Sequence, residues 1–308
     1  MIDALIDKII ERKNPTVVGL DPRLDYIPAH IKKACFEEFG RTPKGAAESF
    51  LQFSKIIIDS VYDIVPAVKP QVAMFEQFGY EGLRAYIEVI EYAKFKNLIV
   101  IGDIKRSDIA STAEAYSNGH IGRVDVEGEL FQVYQEDFIT LNPYLGIDSI
   151  EPYKKDCKVY DKGLFILVKT SNPNSGQLQN LITDGEMLYE RVGKLVSQWG
   201  EDLIGKYGYS LLGAVVGATH PEEGKRLRQL MPHTFFLVPG YGAQGATADD
   251  LKGVFDERGL GAIINSSRGI IAAYKNEKYK KDYEEKEFGQ AARKAALDMK
   301  ADLQGVIN

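Results

Sequence analysis

The sequence predicts an α/β fold: one (β/α)8 (TIM) barrel over residues 1–308, with insertions and a C-terminal helical extension. Three observations predict it. Eight short, β-branched-rich apolar runs recur along the chain, each followed by a stretch with helical character, the helix candidates among them carrying apolar residues at spacings of three and four. The runs are apolar throughout rather than alternating, as in parallel strands buried on both faces. No linker-like break in composition divides the chain, and eight βα units close into a barrel more readily than they form an open sheet.

The expected strands, in order, are TVVGLD (16–21), VPAVKP (65–70), LIVIGDIK (98–105), FITLNP (138–143), LFILVKTS (164–171), LLGAVVGAT (211–219), TFFLVPG (234–240) and GAIINSSRG (261–269). An amphipathic helix, MIDALIDKIIERKNP, precedes them. Helices are expected over 46–64, 80–96, 185–207, 221–231 and 248–258, where apolar residues fall on one face. The extra length lies around 22–43 and 118–137 and in a charged helical tail near 279–308.

Composition narrows the function. Apolar residues make up 44% and charged residues 27% of 308, ordinary values for a chain that buries a large core. A formal net charge of -6 disfavours a nucleic-acid or anionic-membrane surface, which needs clustered Lys and Arg. Cys35 and Cys157 stand far apart and outside any Cys/His metal pattern, so neither a disulfide framework nor a zinc site is expected, and a reduced cytoplasm fits. Acidic residues inside the N-terminal apolar pattern distinguish it from a signal peptide, and no run has the apolar length of a membrane span.

The strands end in polar residues. Asp21 closes the first, Lys69 the second, Asp103 and Lys105 the third, Thr170 and Ser171 the fifth, and Arg268 the eighth. These are C-terminal ends, which in a barrel form the mouth where catalytic groups gather. Asp103 and Lys105 are two apart, so in a regular strand their side chains leave on the same face. An array of Asp21, Lys69, Asp103, Lys105 and Asp108 flanks each ammonium with carboxylates that favour its charged form. A cation held in this way can stabilise negative charge developing on a substrate carbon and then protonate it. Asp103 would meanwhile repel a substrate carboxylate and favour its departure as carbon dioxide.

The opposite side of the mouth carries VPGYGAQG (238–245) and NSSRG (265–269), after strands seven and eight, where such barrels commonly bind phosphate. Glycines admit phosphate oxygens to backbone N–H groups, Arg268 offers a forked guanidinium, and Gln244 could reach both phosphate and base. Gly240, Gly242 and Gly245 also spell GxGxxG, but no Asp or Glu occurs from Arg258 through Asn276, so the acid expected of a dinucleotide site is missing. His30, His120, His220 and His233 lack metal spacing and read as surface or capping residues. Trp199 reads as packing and the charged run over 275–287 as a solvated face, while Tyr241 either covers a bound phosphate or packs beneath the loop.

Taken together, GDIKRSDIAST, KTSNP (169–173), PGYGAQG and SSRG resemble the orotidine 5′-phosphate decarboxylase family, with similarity in order and spacing over residues 16–275. The length resembles the longer bacterial (type 2) subgroup. The resemblance implies conversion of orotidine 5′-monophosphate to uridine 5′-monophosphate and carbon dioxide in pyrimidine biosynthesis, without metal, flavin or pyridoxal phosphate. It implies that Asp21 and Lys69 bind ribose hydroxyls, Asp103 lies beside the scissile carboxylate, and Lys105 protonates C6. Ser171 would recognise the pyrimidine amide, and Gln244 would bridge pyrimidine and phosphate. Arg268, with Pro239, Gly245, Ser267 and Gly269 around it, would hold the phosphate. Asp108 and Thr112 would reach a neighbouring subunit's site, which implies a homodimer. Two rival readings are a metal-dependent sugar-phosphate barrel acting through an enediolate and a noncatalytic barrel that binds a phosphorylated ligand.

Overall fold

The structure, a computed structural model, describes residues 1–242 and 245–307. Eight parallel strands form a closed barrel: β1 (Thr16–Leu20), β2 (Ala67–Pro70), β3 (Ile99–Arg106), β4 (Phe138–Leu141), β5 (Gly163–Lys169), β6 (Leu212–Val216), β7 (Phe236–Pro239) and β8 (Ala262–Ser266). Each pairs with its neighbours in sequence, and β8 closes on β1 with Thr16 opposite Ile264. All eight expected strands are present.

Successive strand residues serve two different layers, which is why the runs are continuously apolar. Val17, Ile99, Ile101, Phe138, Phe165 and Ile263 pack inside the barrel, whereas Val18, Val100, Ile139 and Ile264 pack beneath the helices. Helix α1 (Ile2–Arg12) sends Ile2, Leu5, Ile6 and Ile9 into the interior cluster. Each buried side chain contributes roughly 1.5–3 kcal/mol as an upper bound. Lys8 Nζ donates to the carbonyl of Asn97, just before β3, and Asn14 Nδ2 to that of Ile64, before β2. This helix therefore plugs the N-terminal end of the barrel and leaves the C-terminal mouth open.

The outer layer includes α2 (Ala29–Phe39), α3 (Pro43–Val61), α4 (Gly79–Phe95), α5 (Ala110–His120), α6 (Glu151–Tyr160), α7 (Leu188–Trp199) and α8 (Pro221–Leu230). The Thr42 hydroxyl caps α3 by accepting from the Gly45 amide, with Pro43 at the first helical position. The C-terminal extension is α9 (Phe288–Ile307), and the Phe288 ring stacks on Phe53 of α3 at 5.2 Å. No helix among the described residues is long and apolar enough to cross a membrane.

Several elements differ from the sequence expectation. The helix expected over 185–207 is confined to α7, because Asp184 and Gly185 turn with φ of 52° and 82° and Glu186–Met187 pairs back onto Ile182–Thr183. Residues Asp249–Val254 form a 3-10 helix rather than an α-helix. The insertion around 118–137 carries a hairpin, Val124–Val126 with Glu129–Phe131, turned at Glu127 and Gly128, both with positive φ. His120 is buried, not superficial. It stacks on Tyr134 at 4.4 Å, and its Nδ1 meets Glu136 Oε1, the acceptor of the Tyr86 hydroxyl, at 2.9 Å.

Candidate active site

The site begins at an irregularity in β3. Its register with β4 shifts between Gly102 and Arg106, and Lys105 sits in left-handed backbone at φ 44°. Asp103 and Lys105 therefore do not meet through the regular alternation of an extended strand, as their spacing suggests. The kink folds the Lys105 side chain back so that Nζ donates to Asp103 Oδ1. Thr140 of β4 fixes the kink: its hydroxyl accepts from the Lys105 amide at 3.0 Å and donates to Asp103 Oδ1 at 2.9 Å.

Asp103 is bracketed from its other oxygen as well. Lys69 Nζ, at the end of β2, donates to Oδ2 at 2.6 Å and lies 3.9 Å from Asp21 Oδ1. The Lys69 and Asp103 side chains are 4% and 8% exposed, whereas that of Lys105 is 46% exposed and faces the mouth. Burial alone would raise the Asp103 carboxyl, but the Lys69 and Lys105 ammoniums outweigh it and hold that carboxyl well below the usual range. Burial likewise acts to lower Lys69, and Asp103 with Asp21 overcomes it, leaving the ammonium above its ordinary value. The arrangement is a fixed row of alternating charge with one ammonium presented to the solvent-filled mouth.

Close backbone approach builds the remaining walls. A Cβ on Gly19 would lie 1.9 Å from Ser267 Oγ, so only glycine lets the loop after β8 settle against β1. A Cβ on Gly217 would lie 2.8 Å from the Ser171 backbone, so glycine there admits the β5 loop beside β6. Thr170 is held in that loop by Gln179, whose Oε1 accepts from its amide at 3.0 Å and whose Nε2 donates to its hydroxyl at 2.8 Å.

These groups share one cavity of about 810 Å³. Asp21, Lys69, Asp103 and Lys105 line it together with Ser171 and Gln179 and with Pro239, Tyr241, Ser267 and Arg268. Gly269 lines an adjoining cavity of about 1040 Å³ that also reaches Arg268 and Tyr241. Gly245, at φ 94°, spends its amide on the Gly242 carbonyl. Gln244 lies outside the described residues. Asp108 and Thr112 are not among the residues lining either cavity: β3 ends at Arg106, and Asp108 Oδ1 accepts from the Ile109 amide at 2.8 Å at the start of α5. Within one chain the row of charges thus has four members, without Asp108.

Sequence reasoning missed Thr140, Gln179 and Asn265, all of which line the cavity. Thr140 and Asn265 carried a usable signal, since each is a polar residue inside an otherwise apolar strand end. Gln179 had none, because a 3-10 turn (Pro173–Ser175) and a short helix (Gly176–Gln179) after β5 bring it back. No group of three His, Cys, Asp or Glu side chains able to hold a metal occurs among the described residues.

A closed (β/α)8 barrel with fixed Lys and Asp side chains at its C-terminal mouth defines the class: a TIM-barrel enzyme, its chemistry carried on strand ends. The family model described as "Orotidine 5'-phosphate decarboxylase / HUMPS family" matches residues 47–283. The chain belongs to this family. A relative from Caldicellulosiruptor bescii, named orotidine 5′-phosphate decarboxylase, is 41% identical over 99% of this chain and 98% of its own. One of the same name from Petrotoga mobilis is 44% identical over 99% and 98%. Among solved structures, Leishmania donovani OMP decarboxylase superposes with a TM-score of 0.74 at 30% identity, over 98% of each chain.

Proposed function

We infer that this chain is an orotidine 5′-phosphate decarboxylase in which the Lys105 ammonium protonates C6 of the product. The observation that carries the reading is that Lys105 and Arg268 line the same cavity, so one nucleotide could touch both. In the reaction the bond between C6 and the carboxylate breaks, its electron pair stays on C6, carbon dioxide leaves, and a proton from Lys105 Nζ replaces it. The electrons on C6 occupy an in-plane orbital and cannot delocalise into the ring, so catalysis depends on positive charge fixed beside that carbon. Lys105 supplies the charge. Asp103 holds the ammonium in place and places negative charge near the scissile carboxylate.

Lys69 shares in this catalytic row and, with Asp21, binds ribose hydroxyls; Asp21 Oδ1 is a buried acceptor without a hydrogen-bond partner among the described residues. Ser171 meets the pyrimidine amide, Gln244 bridges pyrimidine and phosphate, and Arg268, with Pro239, Gly245, Ser267 and Gly269, surrounds the phosphate. Phosphate contacts far from C6 provide binding energy that can order the reacting end. The enzyme acts as a cytoplasmic homodimer, with Asp108 and Thr112 extended from each chain toward its neighbour's site. Asp108 is part-exposed and Thr112 exposed, and neither lines a described cavity, which leaves both open to a neighbouring chain. The test is the absorbance change on adding orotidine 5′-monophosphate with EDTA present, with the product identified as uridine 5′-monophosphate. No change, or a change abolished by EDTA, would overturn the reading.

A further inference from the structure

Helix α9 begins at Phe288, beyond residue 283 where the family match ends, and lines the 1040 Å³ cavity that adjoins the substrate cavity. The Tyr241 hydroxyl, in the glycine-rich loop after β7, donates to Asp302 Oδ2 on α9. Tyr241 lines both the 810 Å³ cavity and the 1040 Å³ cavity beside it, and Asp302 lines the second. The ring therefore stands in the partition between them.

Loop geometry gives this contact its weight. Gly240 and Gly242 flank Tyr241 with φ of 109° and 69°, left-handed backbone that favours glycine. The backbone bond from the Gly242 amide to the Ala246 carbonyl, 2.9 Å, ties the loop only to itself. Asp302, in contrast, ties it to a fixed post. Arg293 of α9 grips Asp63 at 2.6 and 2.8 Å and the Ser60 carbonyl at 3.0 Å. Asp298, one turn before Asp302, accepts from Lys278 at 2.7 Å and from the Tyr279 hydroxyl at 3.1 Å. Burial, then the Asp302 carboxylate, pushes the Tyr241 phenol well up, so the hydroxyl keeps the proton it donates.

We propose that Asp302 is a positioning residue for nucleotide binding, acting through Tyr241 to fix that ring in the wall of the two cavities it lines together with Arg268. The inference rests on the functional reading above, which makes Arg268 part of the phosphate site. Asp302 itself is exposed and touches no substrate in this account.

The experiment compares affinity for uridine 5′-monophosphate and for uridine by calorimetry, in the full chain and in Asp302→Ala, Tyr241→Phe, their double variant and Asp302→Asn. Losing a hydrogen bond to a charged acceptor predicts nucleotide affinity weakened roughly tenfold in each single variant. The double variant should be no weaker than either single one, as for two halves of one interaction. Asp302→Asn should recover most of the loss, since its amide oxygen still accepts, and uridine affinity should not move. Nucleotide affinity unchanged in Asp302→Ala, additive losses in the double variant, or an equal fall for uridine would each overturn the inference while sparing the functional reading. A wild-type chain that fails to bind uridine 5′-monophosphate would overturn both.

Discussion

Lys69 Nζ stands 2.6 Å from Asp103 Oδ2, in a pair whose side chains are almost wholly withdrawn from solvent. Each charge is tolerable there only because the other is present. Asp103→Asn leaves Lys69 buried with Asp21 alone, at 3.9 Å, as its carboxylate partner. The expected cost is about 3–5 kcal/mol of folding stability. Denaturant unfolding of the variant measures it, and a loss below ~1 kcal/mol would contradict a tightly coupled pair.

The pair also sets a pH window. The Asp103 carboxyl is lowered, so its contribution is complete above the ordinary carboxylate value near ~4 and fades as pH falls through the folded value. The Lys69 ammonium is raised, so its contribution is complete below about 10.4 and fades as pH rises through the folded value. The contribution of this pair to wild-type stability should thus stay flat from about pH 5 to pH 9. Unfolding curves across that range check it, and a steep slope near neutrality would count against the charges assigned here.

Thr140 is tested by Thr140→Val, which keeps the shape and removes the hydroxyl. The variant loses both the bond to Asp103 and the acceptor of the Lys105 amide. If that hydroxyl holds the kink that aims Lys105, kcat should fall by roughly tenfold to a hundredfold, with KM little changed. Steady-state kinetics separate the two; a change confined to KM would reassign Thr140 to substrate binding.

Arg268 lines the same cavity as the charged row. Arg268→Ala should weaken uridine 5′-monophosphate by ~1.5–3 kcal/mol, the range for a hydrogen bond to a charged group. Uridine should bind the variant and the wild type alike. Parallel titrations with the two ligands decide it, and equal losses for both would remove the phosphate role.

Much of this was written in local sequence. The eight strands were legible because a strand buried on both faces leaves an unbroken apolar run, and the mouth was legible because charged residues end those runs. Lys105 was identified by its neighbours, but its left-handed backbone depends on Thr140, 35 residues away in sequence. His120 was misread because its partner Glu136 belongs to an insertion whose path no periodicity reveals. The helix ending at Trp199 was overextended, since apolar spacing continues through Gly200 into a 3-10 turn that tertiary contacts hold apart. Gln179 returns to the cavity through side-chain bonds to Thr170, a purely three-dimensional fact.

The central claim is that the Lys105 ammonium delivers the proton to C6, and single-turnover decarboxylation by Lys105→Ala tests it most directly. With saturating orotidine 5′-monophosphate, the rate should fall by at least about a hundredfold, while affinity for uridine 5′-monophosphate survives at the Arg268 end. A variant that binds the nucleotide and still turns it over within about tenfold of wild type would contradict the account, because a different group would then be supplying the proton.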